Sequence, residues 1–418
     1  MKHSVVVAAA VALVIIAAAP CRADWEAGLA AYNRGDFETA ATEIAKYVAQ
    51  NPTDPRYAIA YYLLGSSYLQ LDRTDDGIAK LRRAVELDPA KPDYGLALGR
   101  VLLGEGQAAD ARVVLEAADS SAMSDEQRLT RALLLASAAL ELAEPERALS
   151  ALEAQLPAAE ESADLHRAIG LACYRLGDRE RAFTELSTAY DLAPGDAASG
   201  RNAVLIALDL ASGETLPEAE REWHRKASVV AAKLATAEPT PANLVLAARA
   251  AEGAGRDVEA SAWLAKAFEA APEDAQLAYD LGRSLAASGD DHGALAALAR
   301  GLELEPDADL AVRIHRQIAK IHARNLELDA AVRHFERAGD QRAADQIEEI
   351  AGSFADAIAR RADLVAKIAE LRTMEAELEA LNDSQGVAAV RGRADAMQSE
   401  LDAIDANLAS VREALKNL

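Results

Sequence analysis

A small residue returns along this chain every 34 to 37 positions, and few folds can carry such a beat. Gly28, Gly65, Gly99, Ala136, Gly170, Ala248, Gly282 and Ala319 fall in register, with one wider gap of 78 residues between Gly170 and Ala248. That gap holds one divergent unit, so nine units cover roughly residues 24 to 350. Twelve positions after each of these residues stands a second small one: Ala40, Gly77, Ala111, Ala148, Ala182, Ala260, Ala294 and Ala331. Most units close near a proline, as at Pro52, Pro89, Pro194, Pro272 and Pro306. A period of this length signals stacked supersecondary units, none of which buries its apolar face alone. Small residues let two helix axes approach, and proline stops the second helix. With 51% hydrophobic but only 4% aromatic residues, the core must be built from Ala and Leu.

The residues at these places resemble the tetratricopeptide repeat family. Tyr61, Leu64-Gly65, Tyr68, Gly77, Leu81, Ala84 and Pro89 occupy its pattern, with Gly77 where Ala is usual. Ile169-Gly170, Gly177-Asp178, Ala182, Leu186, Ala189 and Pro194 repeat it. Residues 195–240 depart from it, where Leu216-Pro217-Glu218 to Ala237 reads as an overlong second helix. The resemblance implies an all-α solenoid of helical hairpins over 24–345, right-handed, with a concave groove lined by the first helix of each hairpin.

Counting each aligned small residue as position 8, the groove positions of the family fall on identifiable side chains. Position 5 gives Trp25, Tyr62, Arg167, Tyr279 and Arg316, and position 9 gives Arg100, Arg249, Arg283 and Lys320. Positions 12 and 13 add Tyr32, Tyr174, Arg175 and Arg324. Cations and aromatics thus gather on one expected surface of a chain whose net charge is −24. Arginine offers a planar fork to carboxylates and stacks on Tyr, which suits a peptide or protein ligand. The competing reading pairs position-9 arginines with helix carboxylates such as Glu252 or Asp280. Trp25 and Leu29 stand where the chaperone-tail clamp of the family has Lys and Asn, so that ligand is not expected. The acidic balance also argues against nucleic acid and anionic membrane surfaces as partners.

Nothing in the sequence reads as catalytic, and no cofactor or metal is expected. His315 and His322 share a helix face with His334 on the next helix, so a metal-dependent enzyme using the three is the remote alternative. No carboxylate at a compelling spacing completes such a set. Glu220 and His224 lie one turn apart without a third ligand. Cys173 falls on an inward face, where a thiol is inert.

The two ends differ from the repeats. Residues 1–23 have a basic head, an apolar run from Val5 to Ala19, and small residues before a cleavage after Ala23: the layout of a signal peptide. Export follows, to the periplasm or to the medium. Cys21 is preceded by Pro20, which speaks against lipidation there. Beyond about residue 345 the period becomes seven. Ile350, Phe354, Leu364, Ile368, Leu371 and Leu378 form one stripe; Val390, Met397, Leu401, Ile404, Leu408, Leu415 and Leu418 form a second. Folding at Ser384 sets Leu371 against Met397, Leu364 against Ile404, Phe354 against Leu415, and Ile350 against Leu418. The expectation for 346–418 is an antiparallel coiled-coil hairpin projecting on the order of 45 Å. Polar breaks at Arg361 and Glu375 leave dimerisation through these heptads as the other reading.

The functional expectation is a non-catalytic exported scaffold that binds a peptide or protein segment in its groove, the tail docking or dimerising. A fixed accessory subunit of an envelope assembly or polysaccharide export machine is the alternative.

Overall fold

The computed structural model describes residues 22–50, 54–381, 383–409 and 415. Residues 1–21 of the leader, Pro52 and the seam position Leu418 lie outside the described residues. Among those described, every regular element is helical, and the chain divides into two compact units, 1–199 and 200–418.

The first unit is a run of helical hairpins. α1 (Arg22–Asn33) pairs with α2 (Phe37–Gln50), α3 (Tyr57–Gln70) with α4 (Thr74–Leu87), and α5 (Pro92–Gly104) with α6 (Ala108–Ala117). α7 (Asp125–Glu141) pairs with α8 (Pro145–Glu153), followed by the single turn α9 (Leu156–Ala159), and α10 (Ala163–Leu176) pairs with α11 (Arg179–Leu192). The second unit opens within α12 (Ala197–Gly213), followed by α13 (Pro217–Ala237), the overlong helix expected there at 21 residues. The regular beat resumes with α14 (Pro241–Gly253) and α15 (Asp257–Ala270), α16 (Ala275–Ser288) and α17 (Asp291–Glu303), then α18 (Ala308–Arg324) and α19 (Leu328–Arg337). The chain ends in α20 (Gln341–Ala380) and α21 (Ser384–Asn407). This is a tetratricopeptide-like helical solenoid.

One contact builds each hairpin. The aligned small residue of the first helix faces a large apolar side chain sixteen positions later on the second. A Cβ on Gly99 would stand 2.6 Å from Leu115, on Gly170 2.7 Å from Leu186, and on Gly282 2.5 Å from Leu298. Ala136, Ala248 and Ala319 stand at the same place with Leu152, Leu264 and Phe335, all six buried. Interiors are close-packed, so a larger residue there must push the helices apart.

Turns and caps explain where the helices stop. In eight hairpins the turn residue takes a left-handed conformation: Gly35, Asp72, Gly106, Ala143, Gly177, Gly255, Gly289 and Leu326, with φ between 57° and 91°. Glycine is at ease there, whereas Ala143 and Leu326 carry the cost of a Cβ near the following carbonyl. Asp178, Asp290, Asp307 and Asp340 each accept a hydrogen bond from a backbone N–H in the first turn of the next helix. Ser124 and Gln127 form a reciprocal capping box at α7.

The tail departs from expectation at its start. α20 begins at Gln341 and breaks at Phe354, where φ is −125° and ψ is 20°. Before the break, Ala343, Ala344 and Ile347 pack on Phe335 of α19, and so close the stack. After it, α20 runs antiparallel to α21. Leu364, Ile368, Met397, Leu401 and Ile404 form one apolar cluster, and Phe354 shares another with Leu408 and Leu415. The two polar breaks are satisfied within the chain. Arg361 Nε donates to Asp405 Oδ1 at 2.8 Å and Arg361 Nη1 to the Asn325 carbonyl at 3.1 Å. Glu375, only 7% exposed, accepts from Arg391 Nε at 2.5 Å. A buried carboxylate demands such a partner.

Candidate functional site

In the first unit the first helices of successive hairpins are joined by an aromatic contact. Tyr62 on α3 stacks on Tyr94 of α5 with ring centroids 5.1 Å apart and planes at 34°. Burial pushes the Tyr62 hydroxyl above the usual phenol range, helped by Tyr32 and Asp93; a hydrogen bond with Ser66 and the charge of Arg100 pull it back. Burial likewise moves Tyr94 up to about 12. Asp93 accepts from Gln127 Nε2 at 2.6 Å, which ties α5 to α7. Arg100 is exposed beside this cluster and makes no hydrogen bond or ion pair among the described residues. Farther along the unit, on α10, Tyr174 is 49% exposed and Arg175 is likewise unpaired, while Arg167 is held by Asp164 and Asp196.

Three expected groove aromatics are less available than their positions implied. Trp25 is 8% exposed, with its ring 5.3 Å from that of Tyr47 and the Arg56 guanidinium 5.6 Å from its centroid. It belongs to the core of the first hairpin. Tyr62 is 8% exposed and offers little more than its edge. Tyr32 packs edge-on against Phe37 at 5.7 Å.

The second unit presents charge instead. Arg283 Nη2 donates to both oxygens of Glu252, at 2.9 and 2.8 Å, joining α16 to α14. Gln276 donates to Asp280 at 3.0 Å and accepts from Arg313 at 2.7 Å; the Arg313 guanidinium lies 5.0 Å from the Tyr279 ring centroid. Burial raises the Asp280 carboxyl above its ordinary value. Arg249, Glu252, Asp280 and Arg283 line a cavity of about 270 Å³ floored by Val245, Ala248 and Leu264. Arg316 meets Asp340 at 3.5 Å, and Arg324 ties α18 back to Asp291 and the Ala286 carbonyl. Only Arg249 and Lys320, of the expected cations here, are without a hydrogen bond or ion pair among the described residues.

Sequence reasoning passed over Tyr94, Ser66, Gln127, Gln276 and Arg313. Tyr94 and its partner Tyr62 are 32 residues apart, close to one repeat period, and that spacing was the available signal.

The histidines do come together. His315 Nδ1 and His334 Nδ1 are 3.0 Å apart, and the His322 ring centroid is 5.7 Å from that of His334. Burial, followed by the charges of His315, His322, Arg337 and Arg333, lowers His334 to about 4. Cys173 is fully buried and free, and burial pushes its thiol up.

Residues 26–94 and 133–197 match the family model of the tetratricopeptide repeat, so the chain carries tetratricopeptide repeats over these two regions. Similar solved structures include the pilF protein of Pseudomonas aeruginosa, 17% identical, over 52% of this chain and 92% of that one, with a TM-score of 0.41. A tetratricopeptide repeat protein from Parabacteroides merdae is 15% identical, over 63% of this chain and 98% of its own, with a TM-score of 0.37. YrrB, described as having an unusual peptide-binding site, is 20% identical, over 51% of this chain and all of its own, with a TM-score of 0.38. No curated protein matches the sequence. Among the described residues, no helix is long and apolar enough to cross a membrane.

Proposed function

We propose that this protein is an exported, non-catalytic scaffold that holds a peptide or protein segment against the first-helix face of its repeats, with the terminal hairpin as a docking arm. Arg100 carries the reading. It is an exposed guanidinium beside Tyr32, Tyr62 and Ser66 in a strongly acidic chain, and it has no acceptor of its own among the described residues. A carboxylate on an extended partner would supply that acceptor, and an apolar side chain beside it would rest on the tyrosine edge. Arg175 and the exposed Tyr174 extend the same chemistry along the first unit. On the hairpin, Met374 and Leu381, one heptad apart, remain 48% and 76% exposed, which gives the arm an apolar pair to dock with. The seam itself is filled within one chain, so a second copy is not needed to complete it.

The test is crosslinking in the native envelope followed by mass spectrometry, with Arg100→Glu compared against the unaltered chain. Loss of the captured partner with unchanged helicity and melting supports the reading. Capture that persists in Arg100→Glu sinks the assignment of this face. A chain that purifies only in a stable stoichiometric complex would point to the envelope-machine alternative.

A further inference from the structure

We propose that His315 and His334, with His322 as third donor, form a binding site for a borderline divalent cation such as Zn²⁺, Ni²⁺ or Cu²⁺. The site lies between α18 and α19, apart from the aromatic contact of the first unit, and does not depend on the reading of Arg100.

The geometry points to a ligand pair. Two imidazole nitrogens bound to one tetrahedral ion at about 2.0–2.1 Å stand roughly 3.3 Å apart. The two Nδ1 atoms are 3.0 Å apart already, so a few tenths of an ångström of opening, with each ring turned by roughly 35° toward a common point, admits the ion. Ring centroids on one such ion are separated by about 5 Å; here His315 and His334 are at 5.1 Å and His322 and His334 at 5.7 Å. Without an ion, a single proton serves both facing nitrogens as a hydrogen bond.

His322 is prepared in another way. Its Nδ1 meets Glu327 Oε2 at 2.5 Å, and this carboxylate contact favours the proton on Nδ1 and keeps the lone pair on Nε2. Among the described residues no three such donors converge on one point, so this ring must turn toward the pair to complete the set. All three residues are partly exposed, His322 by 18% of its side chain, which leaves a path for a dissolved cation. Arg333 and Arg337 oppose a cation here, and Glu327 is the charge that offsets them.

The experiment uses the full metal-free chain, titrated with zinc chloride and with nickel chloride by calorimetry, and repeated with a chromophoric chelator as competitor. The expected result is saturable uptake of one ion per chain. His334→Gln and His315→Gln should each weaken it by at least about 100-fold, and His322→Gln by about 10-fold, the range for losing a donor or its orienting neighbour. His292→Gln, at an exposed histidine outside the cluster, should leave uptake unchanged. Nickel should also broaden the imidazole resonances of His315 and His334 before those of any other histidine. Absence of saturable uptake, or uptake that survives His334→Gln in a folded chain, overturns the site. If His334→Gln does not fold, the His322→Gln titration and the nickel broadening decide, since both keep the packed pair intact.

Discussion

The first-helix faces of the two units are built on the same backbone contact yet present opposite chemistry. In the first unit, Tyr62 and Tyr94 bury against each other, and Arg100 has no acceptor among the described residues. In the second, Arg283 occupies the same repeat position and spends its guanidinium on Glu252. A repeat position therefore fixes where a side chain starts, while the neighbouring hairpin decides whether it is free. One face leaves a guanidinium unpaired among the described residues, and the other is largely occupied by its own charges.

The comparison can be broken most forcefully at the shared contact. Gly99→Leu and Gly282→Leu each drive a large side chain into Leu115 or Leu298. Each should cost about 3 kcal/mol, read as loss of the local unit in hydrogen exchange. If only one of them is damaging, the two units are not built alike.

Acid should separate them next. His334 sits at about 4 when folded, against 6.5 when unfolded, so between those values the unfolded chain binds the extra proton. Stability of the last hairpin is therefore complete above pH 6.5 and falls as pH drops toward 4. The loss is on the order of 1–2 kcal/mol once solvent screening of a half-exposed ring is allowed for. The first unit's strongly shifted carboxyl, Asp54, is held below its usual value by Arg56, against the opposing pull of burial. Its contribution persists above the ordinary carboxylate range and fades only in stronger acid. Melting curves at pH 7, 5.5 and 4.5 should show the second unit loosening first; simultaneous loosening would refute the assignment to His334.

Charge reversal sharpens the contrast. Arg283→Glu would set a carboxylate against Glu252 and Asp280 and should destabilise by about 1 kcal/mol. Arg100→Glu should leave the melting temperature unchanged, since it breaks no bond. Equal effects on melting would erase the distinction drawn between the faces. The smallest expected effect is a gain: Ala143→Gly relieves a left-handed alanine and should stabilise the first unit by about 0.5–1 kcal/mol in chemical denaturation.

Much of the architecture was legible because it depends on spacing along one chain. The small residue and its partner sixteen positions on follow from periodicity, and the long helix after Pro217 shows as a departure from it. Leu364 and Ile404 do share a cluster with Met397. The candidate site was less legible because its state depends on contacts between hairpins. Arg283 was expected either to face a ligand or to pair with Glu252 or Asp280, and only the rotation between α14 and α16 selects Glu252. Trp25 was read as lining the groove, but at the first hairpin its ring turns onto Tyr47 and Arg56. The break at Phe354 left no mark in the heptads, because Ile350 and Phe354 serve the seam and the capping of α19 equally well.

That double use of α20 has a consequence for self-association. A stack of identical-looking hairpins can in principle be extended by another copy, since each exposed end resembles the surface that the next repeat would cover. Here Ala343, Ala344 and Ile347 cover Phe335, and Leu408 and Leu415 return to the same patch from the other arm. The last repeat is thus plugged by a helix that then leaves the stack as an arm. Another copy stacking on this end would have to displace the same segment that reaches outward, and removing the arm would uncover the apolar surface of the last repeat.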